Sequence, residues 1–393
     1  MNSPELLQSD FDRVQNRALA VGVAGLALCA GGAYFNPTQF FRSYLLAFLF
    51  WLGIALGCVA LAMLHHMTGG GWGFVIRRFL ESGASTFPLL ALLALPALLG
   101  YSRLYPWVHQ QASAGEPVPA LRRAYLNTPA FFGRAAFYFA VWMTLGYLLN
   151  KWSSEQDRTA DPALTDRLQS LSGPGLVVFG FTATFAAVDW AMSLEPHWTS
   201  TIYGIMFIVA EGLAALAFSI LVARLLAHRK PLADVIAPSH FHDLGNLLLA
   251  FVMLWAYIGF SQFLIIWSGN LQEEIPWYLS RASGGWAALA LFLVVFHFAL
   301  PFLLLLSRDI KRRMQVLAVV AATLLAMGLV DLFWLVAPAF DSAHAGPHVH
   351  WMDLMAPVGV GGIWIAWFVW QLKGKPLLPL HDPRFQGAFS HGN

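Results

Sequence analysis

Residues 174–226 read PGLVVFGFTATFAAVDWAMSLEPHWTSTIYGIMFIVAEGLAALAFSILVARLL, two long apolar runs joined by a short turn at 195–200. About 20 apolar residues in a helix span the roughly 30 Å hydrocarbon layer of a bilayer, so each run is long enough to cross. Each also carries one acid, Asp189 in the first and Glu211 in the second. Ionisable groups inside such runs are costly and mark proton, ion or substrate paths.

The rest of the chain agrees with this reading. It is 58% hydrophobic and 11% charged, less than half the charge of a soluble domain. Ten apolar segments fall at approximately 18–35, 42–66, 84–105, 130–149, 174–194, 202–226, 244–267, 285–307, 315–337 and 354–372. None alternates with period two, so all read as helices, and the expected fold is an all-α polytopic membrane protein with ten crossings. Pro88 and Pro96 predict a kink or break in the third segment, and Pro301 a bend in the eighth. The longest connections are expected at 67–83, 106–129 and 150–173, too short for a separate soluble domain.

Of the 23 lysines and arginines, Arg42, Arg103, Arg122, Arg123, Arg134 and Arg281 lie on one side and the others lie opposite, with both termini. Positive residues are retained in the cytoplasm during insertion, so both termini are expected there. The polar start, with Glu5, Asp10 and Asp12, is not a cleavable signal. Cys29 and Cys58 fall inside apolar runs and form no haem-attachment or cluster motif. Nothing in the charge pattern points to nucleic acid.

Val188-Asp189-Trp190 resembles Val330-Asp331-Leu332, and the two acids stand five and six residues before their segments' ends. At 1.5 Å per residue that is about 8 Å below the outer face. The match hints at two four-helix bundles within one membrane domain, at 42–194 (helices 2–5) and 202–337 (helices 6–9), with two peripheral helices. Glu211 lies about 14 Å deep and His297 near the middle of its helix. If they share an interior, Asp189, Asp331, Glu211 and His297 form a ladder of titratable groups suited to a proton relay. The plainer alternative is that each ties helices together through hydrogen bonds.

Arg134 and Tyr138, four apart, share one helix face. Arg134 can neutralise Asp189 or Asp331, or else reach to the head groups. Glu195 and His197, with Trp198, would suit a wet vestibule leading to Asp189. The 9–10 loop, FDSAHAGPHVHWMD, gathers His344, His348 and His350 between Asp341 and Asp353. It reads as a polar cap or docking surface more readily than as a metal site. The remaining histidines sit near helix ends or in loops, which disfavours a bis-histidine haem. The glycines after His65-His66 read as a flexible turn.

The runs LNTPAFFGRAAFYFAVWM, SGPGLVVFGFTATFAAVDWAMSLEPHWTSTIYG and DLGNLLLAFVMLWAYIGFSQFLIIWSGNLQEEIPWY resemble alternative complex III, a bacterial quinol-oxidising assembly. The chain is similar, over nearly its whole length, to the second large membrane subunit of that assembly, of the NrfD-like polysulfide-reductase family. The resemblance implies ten helices in two four-helix bundles, no covalently bound cofactor, and a location in the bacterial inner membrane. The implied partners are a pentahaem cytochrome c, a monohaem cytochrome c, an iron–sulfur subunit, a sister NrfD-like subunit and smaller membrane subunits. Menaquinol or ubiquinol and phospholipids are the implied ligands. It also implies a proton path through buried acids and histidines, here Asp189, Glu211, His297 and Asp331. Two other readings stay open: an ion-coupled transporter centred on Glu211, and a purely structural anchor for redox partners.

Overall fold

The computed structural model describes residues 3–110, 124–340, 346–379 and 381–385, and their regular elements are all helical. Three long helices open the chain: α1 (Ser3–Phe35), α2 (Pro37–Thr68) and α3 (Gly71–Ala84), the last followed by α4 (Phe87–Leu99). Next come α5 (Thr128–Thr159), α6 (Ala163–Trp190), α7 (Tyr203–Leu226) and α8 (Pro238–Gly269). Then α9 (Gly284–Leu293) and α10 (Leu300–Leu306) flank a π turn, and α11 (Met314–Val336) and α12 (Trp351–Lys373) close the series. The protein is an all-α polytopic membrane protein. Nine spans among the described residues are long and apolar enough to cross a bilayer, and the bent pair α3–α4 supplies a tenth.

Local sequence sets several helix starts. Asn36 and Asn127 each cap the following helix, their Oδ1 atoms accepting from Gln39 N at 3.1 Å and Ala130 N at 2.9 Å. Each helix then has proline in its first turn, where a missing N–H costs nothing.

The third crossing differs from the sequence expectation. Most of residues 67–83, expected to be a connection, belong to α2 and α3, and the 45° bend lies between α3 and α4, just ahead of Pro88. The Ser85 hydroxyl donates to Glu81 O at 2.8 Å and that of Thr86 to Gly83 O at 2.7 Å. Both carbonyls also accept backbone N–H groups, from Ser85 and Thr86, so the hydroxyls add a second bond to each at the break. In the eighth crossing, Pro301 has no N–H to offer the carbonyl four residues back. The backbone there widens into the π turn Val294–Ala299, which carries His297.

Helices α2 and α7 form the centre and pack on each other. A Cβ on Gly57 would overlap the carbonyl oxygen of Glu211, so glycine is what lets these two backbones approach. Around α2 stand α3, α6 and α12, with α5 against α6 and α3. Around α7 stand α8 and α11, with α9 against α11 and α10 against α8. Helix α1 packs chiefly on α12, antiparallel, with Gly22 against Gly362 and Gly25 against Gly359. Lys373 at the end of α12 reaches Asp12 and Gln15 near the start of α1. Both terminal segments therefore lie at one end, which requires an even number of crossings and agrees with counting α3–α4 as one. We call this the terminal end, and the other the distal end.

Candidate functional site

Toward the distal end of the first group, Asp189 is fully buried on the last turn of α6. Arg134 on α5 grips it in a fork, Nε to Oδ2 and Nη2 to Oδ1, both at 2.8 Å. The Tyr138 hydroxyl donates to Oδ2 at 2.8 Å. Arg134 is itself fixed, donating to Tyr125 O at 2.9 Å and lying 3.9 Å over the Tyr125 ring. The spacing of 134 and 138 puts both donors on one face of α5. Of the two acids that the sequence left open for Arg134, the structure brings it to Asp189.

Asp331 on α11 has different surroundings. It is 5% exposed and accepts one hydrogen bond, from Trp255 Nε1 on α8 to Oδ2 at 3.0 Å; it forms no ion pair among the described residues. The Trp255 indole stacks on His297, ring centres 4.4 Å apart. Neither ring nitrogen of His297 has a hydrogen-bond partner. Asp331 and Trp255 line a cavity of about 760 Å³ whose walls are mainly apolar, including Phe260, Phe263, Tyr278 and Val294. Small-molecule sites commonly have this size and this mixture of apolar wall and few polar groups. Tyr257 and Phe260 border it and are exposed on the outer surface of the helices.

Glu211 sits on α7 against Gly53 of α2, and its Oε2 is buried with no hydrogen-bond partner. It shares no hydrogen bond with the other acids.

The turn at 195–200 serves the second group of helices rather than a vestibule over Asp189. Glu195 pairs with Arg281 at 2.7 Å, and the same Nη2 donates to Leu335 O at 2.8 Å. Trp198 is buried and stacks on Trp277, 4.6 Å between centres and 11° between planes. His197 is exposed. In the 9–10 loop, Asp341 and His344 lie outside the described residues. Asp353 caps α12 and accepts from the Ser43 hydroxyl at 2.5 Å, so it is engaged in packing. Among the described residues no three His, Cys, Asp or Glu side chains gather as a metal would require.

Sequence reasoning missed a polar network at the terminal end. Arg77 and Arg78, assigned above to a connection, are each 1% exposed on α3. Arg77 Nε donates to Glu81 Oε1 at 2.8 Å and its Nη1 to Asp382 Oδ2 at 2.7 Å. Arg78 donates to Glu81 Oε2 at 2.7 Å and to Asp157 at 2.5 Å. Burial would raise the Asp382 carboxyl, but Arg77 and Arg384 outweigh it and hold it below the ordinary value. Lys375 donates to Asn150, and burial pulls its pKa down to about 8. The local signal was present: GWGFVIRRFLESGA sets Arg77 and Glu81 four apart between apolar pairs, a helix pattern.

No family model matches the chain, and no curated protein sequence matches it.

Proposed function

We propose that this protein is an integral subunit of a quinol-oxidising electron-transfer assembly of the alternative complex III kind. In this reading it sits in the bacterial inner membrane with both termini in the cytoplasm. Haems and iron–sulfur clusters belong to partner subunits: multihaem and monohaem cytochromes c, an iron–sulfur protein and a sister NrfD-like chain. The observation that carries the reading is the mainly apolar cavity with a single unpaired carboxylate, Asp331, in its wall.

A quinol has an apolar tail and a small ring bearing two hydroxyls. The walls of the cavity suit the tail, and Asp331 suits a hydroxyl. Oxidation removes two electrons and two protons from each quinol, so the electrons need an acceptor in a partner and the protons need a base. Asp331 has one oxygen held by Trp255 and one that accepts no hydrogen bond, which fits it to take a proton. His297 and Glu211, with unpartnered buried polar atoms on segments that both pack against α8 and α11, are the groups through which the proton would leave. Asp189, held by Arg134 and Tyr138, is a structural tie in this reading. That pairing is also what favours the scaffold alternative for the first group of helices.

Purification in mild detergent tests the assembly: multihaem cytochrome should accompany the chain, and a colourless protein purified alone would favour a transporter. In the assembled complex, Asp331→Asn should lower quinol oxidation by about 100-fold, within the usual range for loss of a general base, with haem content unchanged. Full turnover in that variant would leave the chain as a scaffold.

A further inference from the structure

We propose that the described residues 375–379 and 381–385 form a latch that shuts the terminal end over the buried pair His65–His66, with the Asp382–Arg77 ion pair as its catch. The inference does not rest on any reading of electron transfer. After α12 the chain turns back and lies across α2, α3 and α5. Leu377, Leu378 and Phe385 bury their side chains in the core, and Phe385 meets Phe74 of α3 edge to face. Lys375 reaches Asn150 of α5, and the His381 ring bonds to Asp157 O at 2.7 Å. Arg384 Nη1 donates to the carbonyl of His66 on α2 at 3.1 Å. Asp382 links the segment to α3 through Arg77.

What lies beneath explains why a catch is needed. His65 and His66 are fully buried, and neither ring nitrogen of His66 has a hydrogen-bond partner; the Ser82 hydroxyl also has none. Water would satisfy all of these atoms, and buried polar groups without partners are costly. Closing the segment is therefore opposed by the groups it covers. It is held by its apolar anchors and by charge. The charged groups facing this space are Arg77, Arg78 and Glu81 on α3, Asp157 on α5, and Lys375, Asp382 and Arg384 on the segment. Glu81 is shared by two arginines, so Asp382 is the one carboxylate that Arg77 does not share with Arg78. Neutralising Asp382 removes that pair and tips the balance toward the open, hydrated arrangement.

The test measures access to position 66 beneath the segment. Cys29 and Cys58 are the chain's two cysteines; with both changed to alanine, His66→Cys provides one thiol directly beneath the segment. A membrane-impermeant methanethiosulfonate is applied to the purified chain in mild detergent. Labelling should be slow with the segment intact, at least 10-fold faster with Asp382→Asn, and fastest when the chain ends at Gly374. To separate opening from misfolding, a protease site inserted after Gly374 is cut once the protein has folded, and loss of the segment is checked by mass. The cut chain should label as fast as the shortened one. Fast labelling of the intact chain, or slow labelling after the segment has gone, would overturn the latch.

Discussion

Asp189 and Asp331 are both buried acids on membrane-spanning helices, yet one carboxylate is clamped and the other is nearly bare. Asp189 takes three hydrogen bonds, two from a guanidinium and one from a phenol. Asp331 takes a single indole N–H and lines a cavity. Arg281, which lines the same cavity, pairs with Glu195 and donates to Leu335 O rather than to Asp331. A carboxylate with its counter-ion built in ties helices together through several fixed hydrogen bonds. One without a counter-ion can change its protonation state when a ligand arrives. The difference lies in which acid received the arginine.

The sharpest way to break this contrast is Arg134→Met. It strands the Asp189 carboxylate, and removing one partner of a buried pair costs about 3–5 kcal/mol, read as a lower thermal midpoint in detergent. An unchanged midpoint would mean Asp189 needs no clamp, and the contrast would fail. Tyr138→Phe removes one hydrogen bond to the charged acid and should cost about 1.5–3 kcal/mol. Trp255→Phe removes the bond to Asp331, and there the expected loss is about 1 kcal/mol. Asp331→Asn should change stability by less than about 1 kcal/mol, because no ion pair is broken; a loss as large as that of Arg134→Met would show a hidden counter-ion.

Lys375 offers the same contrast in a basic group. Around it Arg77, Arg78 and Glu81 are paired, while Lys375 bonds to a neutral amide. Its folded pKa of about 8 lies below the unfolded value of about 10.4. Between these the unfolded chain holds more protons, so the cost of the buried charge is full below pH 8 and is relieved as pH rises toward 10.5. Wild type should gain stability relative to Lys375→Gln across that window, and parallel pH profiles would refute it.

Much of the fold was legible because bilayer thickness writes itself into local sequence. Segments 202–226 and 315–337 match α7 and α11 to within a residue or so at each end. Asp189 and Asp331 were visible as acids in apolar runs, but their partners were not. Which of two acids meets Arg134 depends on how whole helices sit against one another, and no local window holds that. Helix α3 was missed because adjacent arginines read as a water-facing loop. Their neutralisation comes partly from Asp382, 305 residues away in the chain. The cavity has no signature of its own, being the space left where α8, α9 and α11 stand apart.

The pairing of α1 with α12 has a consequence for biosynthesis. Helix α1 leaves the ribosome before its chief neighbour α12 is made, so it waits in lipid while the crossings between them are inserted. Truncated nascent chains should therefore fail to crosslink between positions 22 and 362 until α12 has emerged, leaving α1 to insertion factors or to other subunits in the meantime.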